Sequence, residues 1–232
     1  MDNLQLTQCA AFSNRAYGEF KEVGYAPARK YENRLTSTTF FWLERDDKHY
    51  IVFRGSQQPR DILVDLFAVP VRCLGNWVHG GFAISHFSVR KKLKKILTVI
   101  ERTEKPLIFT GHSLGAAQSE LAFLYCQKKF PNVFEKSELY VYGKPRVFLK
   151  PSRVRFPENK VMSCVSGSDV VTRLPRFLFT IGSSNQQTFY LANDNNNYMN
   201  PKPEFMAEDF DLSDSVSDHS MSVYLQRLKE IT

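Results

Sequence analysis

Apolar and polar positions along this chain switch between two periods, and the switches outline its elements. From Leu4 to Tyr17 apolar residues recur at helical spacing and stop before Gly18, which predicts an opening helix packed on the rest of the chain. Thr38 to Glu44 (TTFFWLE) and Tyr50 to Arg54 (YIVFR) are β-branched and aromatic runs on either side of Arg45-Asp46-Asp47-Lys48-His49, the pattern of a two-stranded hairpin. After them Pro59 suits the first turn of a helix, and Ile62, Leu63, Leu66 and Phe67 form an apolar stripe among Arg60, Asp61 and Asp65. A long helix is predicted from about Ser85 to Arg102, with Leu93, Ile96, Leu97 and Ile100 on one face, and it feeds the strand Leu107-Ile108-Phe109. Glu138 to Tyr142 (ELYVY) and Lys160 to Val165 (KVMSCV) are further strands, and Met221, Tyr224, Leu225 and Leu228 mark a final helix. Strands alternating with helices predict an α/β fold, a mainly parallel central sheet with helices on both faces.

A chain of 232 residues, 43% of them hydrophobic, can bury one sizeable core, so a single domain over residues 1–232 is expected. No stretch approaches the apolar length that crosses a bilayer. The opening Met1-Asp2-Asn3-Leu4-Gln5 carries an acid and no basic segment, unlike a secretory signal; a processed, secreted form is the alternative. Cys9, Cys73, Cys126 and Cys164 stand far apart without a C-x-x-C pair. That suggests neither a zinc site nor a disulfide framework, and fits reduced thiols in an intracellular protein, soluble or peripherally bound to a membrane. Net charge is +7, and Arg90-Lys91-Lys92-Leu93-Lys94-Lys95 concentrates it on the long helix. A solvated outer face is the plainer account of that run. Attraction to anionic lipid headgroups is the sharper one, and since no nucleic-acid-binding module accompanies the charge, no nucleic acid partner is expected.

The chemistry gathers at Gly111-His112-Ser113-Leu114-Gly115. An apolar strand runs into these residues, and an Ala- and Leu-rich helix with Leu121, Leu124 and Tyr125 runs out of them. A turn that pushes a serine hydroxyl out at the mouth of a sheet needs residues without bulk on either side, which Gly111 and Gly115 supply. Alone, the five residues also fit an ordinary glycine turn; partners at the carboxyl ends of other strands decide between the two. Ser56, beside Gly55 at the end of the second hairpin strand, stands where an oxyanion donor could sit. Asp169 follows a strand and a Ser-Gly-Ser turn, a place for a simple cap or for a carboxylate that orients an imidazole. Of His49, His79, His86, His112 and His219, only His219 lies beyond Asp169, and the order Ser, Asp, His is that of an α/β-hydrolase. His79-Gly80-Gly81-Phe82 is similar to the oxyanion loop of other esterases, but the long helix follows it directly and Ser56 is better placed, so His79 is read as structural.

On these motifs the chain resembles the class 3 lipases, the fungal-type triacylglycerol lipase family of α/β-hydrolases. The likeness runs through Ile51-Val52-Phe53-Arg54-Gly55-Ser56, Val78-His79-Gly80-Gly81-Phe82, Thr110-Gly111-His112-Ser113-Leu114-Gly115, Tyr142-Gly143-Lys144-Pro145-Arg146-Val147, Asp169-Val170-Val171-Thr172-Arg173-Leu174-Pro175 and Asp218-His219. The resemblance implies that Ser113, Asp169 and His219 form a triad, that Ser56 and Leu114 form the oxyanion hole, and that Gly111, His112 and Gly115 frame the nucleophile elbow. It also implies a lid over residues 57–70, with Ile62, Leu63, Leu66 and Phe67 as its apolar face; a helix packed on the core is the alternative for that stripe. The implied activity is hydrolysis of lipid esters such as acylglycerols, at a membrane or droplet surface, through an acyl-enzyme that needs no cofactor and no metal. Phospholipase A1 and feruloyl-esterase-like carboxylesterase are alternatives within the family, and a non-catalytic lipid- or protein-binding relative is a further one. The chain departs from the family pattern at Ala116, where members often carry a second glycine, and at Thr172, where they carry a proline. Neither departure replaces a triad residue, and the cysteine placement does not support the disulfides of secreted fungal members. Phe177, Leu178, Phe179 and Ile181, shortly after Asp169, fit an acyl groove or, more plainly, a core strand.

Overall fold

All six residues of the strand Leu107–His112 are buried, as an apolar run covered on both faces must be. The computed structural model describes residues 3–20, 28–56, 69–149, 154–167, 169–174, 179–180, 187–191, 198–199 and 217–231. In chain order the elements are α1 (Asn3–Arg15), β1 (Arg29–Asn33), β2 (Thr38–Arg45), β3 (Lys48–Phe53), β4 (Pro70–Cys73), β5 (Asn76–His79) and α2 (Gly80–Glu101). Then follow β6 (Leu107–His112), α3 (Leu114–Lys129), α4 (Pro131–Glu135), β7 (Ser137–Tyr142), β8 (Phe148–Leu149), β9 (Val161–Ser166), β10 (Phe179–Thr180), β11 (Gln187–Leu191), β12 (Tyr198–Met199) and α5 (Met221–Lys229).

The main sheet has the order β1-β2-β3-β6-β7-β9-β11-β12. Its centre, β3-β6-β7-β9-β11, is parallel throughout, while β1 and β2 at one edge and β12 at the other pair antiparallel. A smaller sheet, β10-β8-β5-β4, stands apart from it. Alternation along the parallel strands divides the core in two. Ile51, Phe53, Phe109, Leu139 and Val141 meet Leu93 and Leu97 of α2 and Leu121 and Phe123 of α3. Tyr50, Val52, Ile108, Tyr142 and Cys164 meet Leu6 and Phe12 of α1 and Tyr224 and Leu228 of α5. Burial of a side chain of this size contributes roughly 1.5–3 kcal/mol, so each face is held by many such contacts and the carboxyl ends of the parallel strands form a stable rim.

Two parts of the sequence reading change. The basic helix begins at Gly80 rather than near Ser85, so Gly80-Gly81-Phe82 is its first turn and not a loop. Asn76–His79 is a strand, paired antiparallel with β4 and at Val78 with Phe148 of β8. The stripe Ile62, Leu63, Leu66 and Phe67 lies outside the described residues, as do Phe177, Leu178 and Ile181; the backbone of Phe179 belongs to β10, against β8. All four cysteines are buried free thiols, and burial pushes Cys73 up to about 11 and Cys126 up to about 12. Among the described residues no helix is long and apolar enough to cross a membrane.

Candidate active site

Ser113 sits between β6 and α3 with φ 58° and ψ −127°, a backbone conformation that costs a non-glycine residue on the order of 1–3 kcal/mol. Packing around the turn supports that strain. A Cβ on Gly111 would lie 2.5 Å from the Gly115 carbonyl oxygen, and one on Gly115 would lie 2.2 Å from that of Phe53. Only glycine permits both approaches. The Ser113 N–H donates to the Tyr142 carbonyl at 3.0 Å, which ties the elbow to β7. Because Gly115 rests on Phe53 and Arg54, the residues leaving β3, ending at half-buried Ser56, lie against the elbow. Leu114, also half-buried, is the first residue of α3.

Asp169 and His219 arrive from later in the chain. Asp169 caps the short 3-10 turn Val170–Arg173, its Oδ1 accepting from the Val171 N–H at 2.9 Å, so the cap expected of a turn aspartate is present. The same carboxylate faces the Nδ1 of His219, at 2.8 Å from Oδ2 and 3.0 Å from Oδ1. On the far side of that ring, Nε2 stands 2.8 Å from the Ser113 Oγ. A carboxylate can only accept, so Nδ1 carries the proton and Nε2 is left to accept from the serine hydroxyl. Ser113, Asp169 and His219 are each about 1% exposed, which shields their mutual interactions from solvent.

Several neighbours hold this arrangement in place. The Tyr224 hydroxyl donates to Asp169 Oδ2 at 2.6 Å and accepts from the Ser166 N–H at 2.9 Å. Burial, and then the charge of Asp169, hold that phenol well above its ordinary range, so it stays a donor. Gly143, at φ 55°, leaves room for the pair: a Cβ there would meet Asp169 Oδ2 at 2.8 Å and the His219 ring at 3.0 Å. One residue on, Lys144 forms a buried ion pair with Glu120 of α3 at 2.8 Å. Asp218, next to His219, pairs with Arg227 at 2.8 Å, and Arg227 also donates to the Ser166 hydroxyl. His112 packs its ring 4.6 Å from that of His219 and shares a 2.7 Å hydrogen bond between Nδ1 and the Tyr17 hydroxyl. Burial, reinforced by His219, holds His112 well below the usual histidine range, so it is a neutral spacer.

Sequence reasoning missed Tyr224, Tyr17 and the Glu120–Lys144 pair. Tyr224 counted only as part of an apolar stripe, and nothing in a helical period links positions 120 and 144. His79, read as structural, is buried with its ring 4.4 Å from that of Phe82. Among the described residues no group of three His, Cys, Asp or Glu side chains is placed to hold a metal ion.

Sheet order, elbow and the chain order Ser, Asp, His together define an α/β-hydrolase. Within that class the chain belongs to the class 3 lipases: the family model described as Lipase (class 3) matches residues 50–179. It is similar to a lipase from Rhizomucor miehei, 36% identical over 107 residues that cover 42% of this chain and 29% of that protein. It is similar also to diacylglycerol lipase-alpha from Rattus norvegicus, 26% identical over 154 residues that cover 59% of this chain and 14% of that protein. The matched segments thus span less than a third of these relatives' length. Among solved structures, a Rhizomucor miehei triacylglyceride lipase superposes with a TM-score of 0.71 at 23% identity, covering 84% of this chain and 82% of the other, a likeness of fold.

Proposed function

We propose that this chain is a serine carboxylic-ester hydrolase acting on lipid esters, an acylglycerol lipase that works through an acyl-enzyme on Ser113. The observation that carries this reading is the continuous line from Asp169 through both nitrogens of His219 to the Ser113 hydroxyl, with separations of 2.8 Å on each side of the ring. Family membership supports the ester chemistry. His219 Nε2 takes the Ser113 proton as Oγ attacks the ester carbonyl, and Asp169 holds the tautomer and stabilises the imidazolium. The backbone N–H groups of Leu114 and Ser56 meet the oxyanion, each contributing roughly 3–4 kcal/mol to the lowered barrier. His219 then protonates the departing alcohol, and water repeats the sequence on the acyl-enzyme to release the acid. We take residues 1–232 as one domain, with residues 57–70 as a lid over the elbow and the lipid drawn from a membrane or droplet surface. Free buried thiols support an intracellular setting.

The test is turnover of acylglycerols, phospholipids and a soluble aryl ester by the chain and by Ser113→Ala. The variant should lose about a millionfold in kcat on every ester accepted by the parent. Wild-type turnover by Ser113→Ala would remove the serine from the mechanism.

A further inference from the structure

The outer face of α2 carries a pattern that ester chemistry does not use. From Val69 to Ile100 the chain holds six basic residues, Arg72, Arg90, Lys91, Lys92, Lys94 and Lys95, and neither Asp nor Glu. The five on α2 are all exposed. At 3.6 residues per turn, Ile84, Phe87, Lys91, Lys94 and Lys95 fall along one stripe, apolar at its start and basic beyond. Ile84 is 56% and Phe87 38% exposed, and the Arg90 guanidinium lies 5.4 Å from the Phe87 ring centre.

The apolar end of the stripe lies at the rim of the site. Gln118, little more than one helical turn past Ser113, donates to the Phe82 carbonyl at 3.1 Å. Thr36, in the turn between β1 and β2, hydrogen-bonds Ser88 at 2.8 Å. That turn sits at the carboxyl end of β3, since Phe40 pairs with Phe53, and Ser56 follows from the same end. Beside Thr36, Leu35 is 97% exposed; Val69, 77% exposed, lies over the first turn of α2, where a Cβ on Gly80 would come 2.4 Å from its carbonyl oxygen. Leu35, Val69, Ile84 and Phe87 are thus four exposed apolar side chains on segments that these contacts tie together, and apolar surface gathered in one region marks an interaction site. A polyanion such as DNA would match the lysines and leave Ile84, Phe87, Leu35 and Val69 in water. An anionic bilayer matches both parts, headgroups for the ammonium groups and hydrocarbon for the apolar ones.

We propose that this face of α2, with Leu35 and Val69 beside it, docks on an anionic lipid surface and sets the rim of the Ser113 site against the plane from which esters are drawn. The proposal rests on the lipid-ester reading above and names the surface that reading requires. To test it, the full chain with Ser113→Ala, which cannot consume the lipid, is sedimented with phosphatidylcholine vesicles with and without about one quarter phosphatidylserine. Partitioning should be at least about tenfold stronger with phosphatidylserine and should weaken as salt is raised. Replacing Lys91, Lys94 and Lys95 together by Gln should cut that binding by about tenfold or more, and Ile84→Ser with Phe87→Ser should weaken binding to both vesicles. In the Ser113-bearing chain the lysine variant should hydrolyse a soluble short-chain ester at the parent rate. Equal partitioning to the two vesicles, parent-like binding by the lysine variant, or a preference for duplex DNA over vesicles at the same salt would overturn the proposal. Charge-selective vesicle binding in a chain that turns over no ester would count against the hydrolase reading and leave the docking surface standing.

Discussion

His86, under the first turns of α2, and His219, at the carboxyl edge of the sheet, are both shut away from solvent, 0% and 1% exposed. Neither ring nitrogen of His86 has a hydrogen-bond partner among the described residues. Both nitrogens of His219 have one, a carboxylate on one side and a hydroxyl on the other. Burial, reinforced by the charge of Arg90, pushes His86 down to about 4 and leaves a neutral ring. In His219 the Asp169 carboxylate opposite Nδ1 orients the ring so that Nε2 faces the Ser113 hydroxyl. What separates the two rings is the set of partners that the fold delivers, since burial is common to both.

The sharpest way to break the contrast is to make His219 resemble His86. Asp169→Asn keeps the shape but removes the charge and presents an amide that can stabilise the wrong tautomer; kcat on a soluble ester should fall by about 10⁴-fold with the fold intact by circular dichroism. A loss of only a few-fold would show that the carboxylate is a structural cap alone.

Next comes stability. Lys144 and Glu120 apply the same rule to a pair of charges, one 3% and the other 0% exposed at the side chain. Glu120→Ala leaves the ammonium buried without its partner and should cost about 3–5 kcal/mol in urea unfolding. Replacing both residues by Met should recover most of that loss. If the single variant is as stable as the parent, the pair does not hold the Gly143 loop.

The smallest effect concerns His86 itself. Its folded-state value of about 4 lies below the ordinary 6.5, so between those two pH values the unfolded chain takes up a proton that the folded chain refuses. Its share of stability is therefore whole above about pH 6.5 and is lost as pH falls to about 4, by at most about 3 kcal/mol. His86→Leu should flatten this acid-side loss in thermal unfolding followed against pH. An unchanged slope would assign the loss to other groups.

Four of the five parallel strands, β3, β6, β7 and β9, were legible because apolar runs mark them and turn residues end them, whereas β11, which completes the parallel centre against β9, was not foreseen. The serine, aspartate and histidine were legible because their order along the chain restricts the choice to one histidine. What escaped was short or tertiary in origin. β1 is Arg-Lys-Tyr-Glu-Asn, a partly exposed edge strand with no alternation to read, and it forms because β2 offers it a ladder. Gly80 and Gly81 look like a loop, yet they open a helix, and the glycine at position 80 answers a tertiary contact, since a Cβ there would lie 2.4 Å from the Val69 carbonyl oxygen. Tyr224 faces Asp169 from across 55 positions, and no local pattern marks a phenol in an apolar stripe as a hydrogen-bond donor.

The most direct measurement is covalent. The chain is treated with a serine-directed phosphonate, digested, and the adduct located by peptide mass spectrometry. A single adduct on Ser113, absent from Ser113→Ala and slowed in Asp169→Asn, is the predicted result. An active chain that takes no label, or takes it on a different serine, would contradict the assignment of the nucleophile.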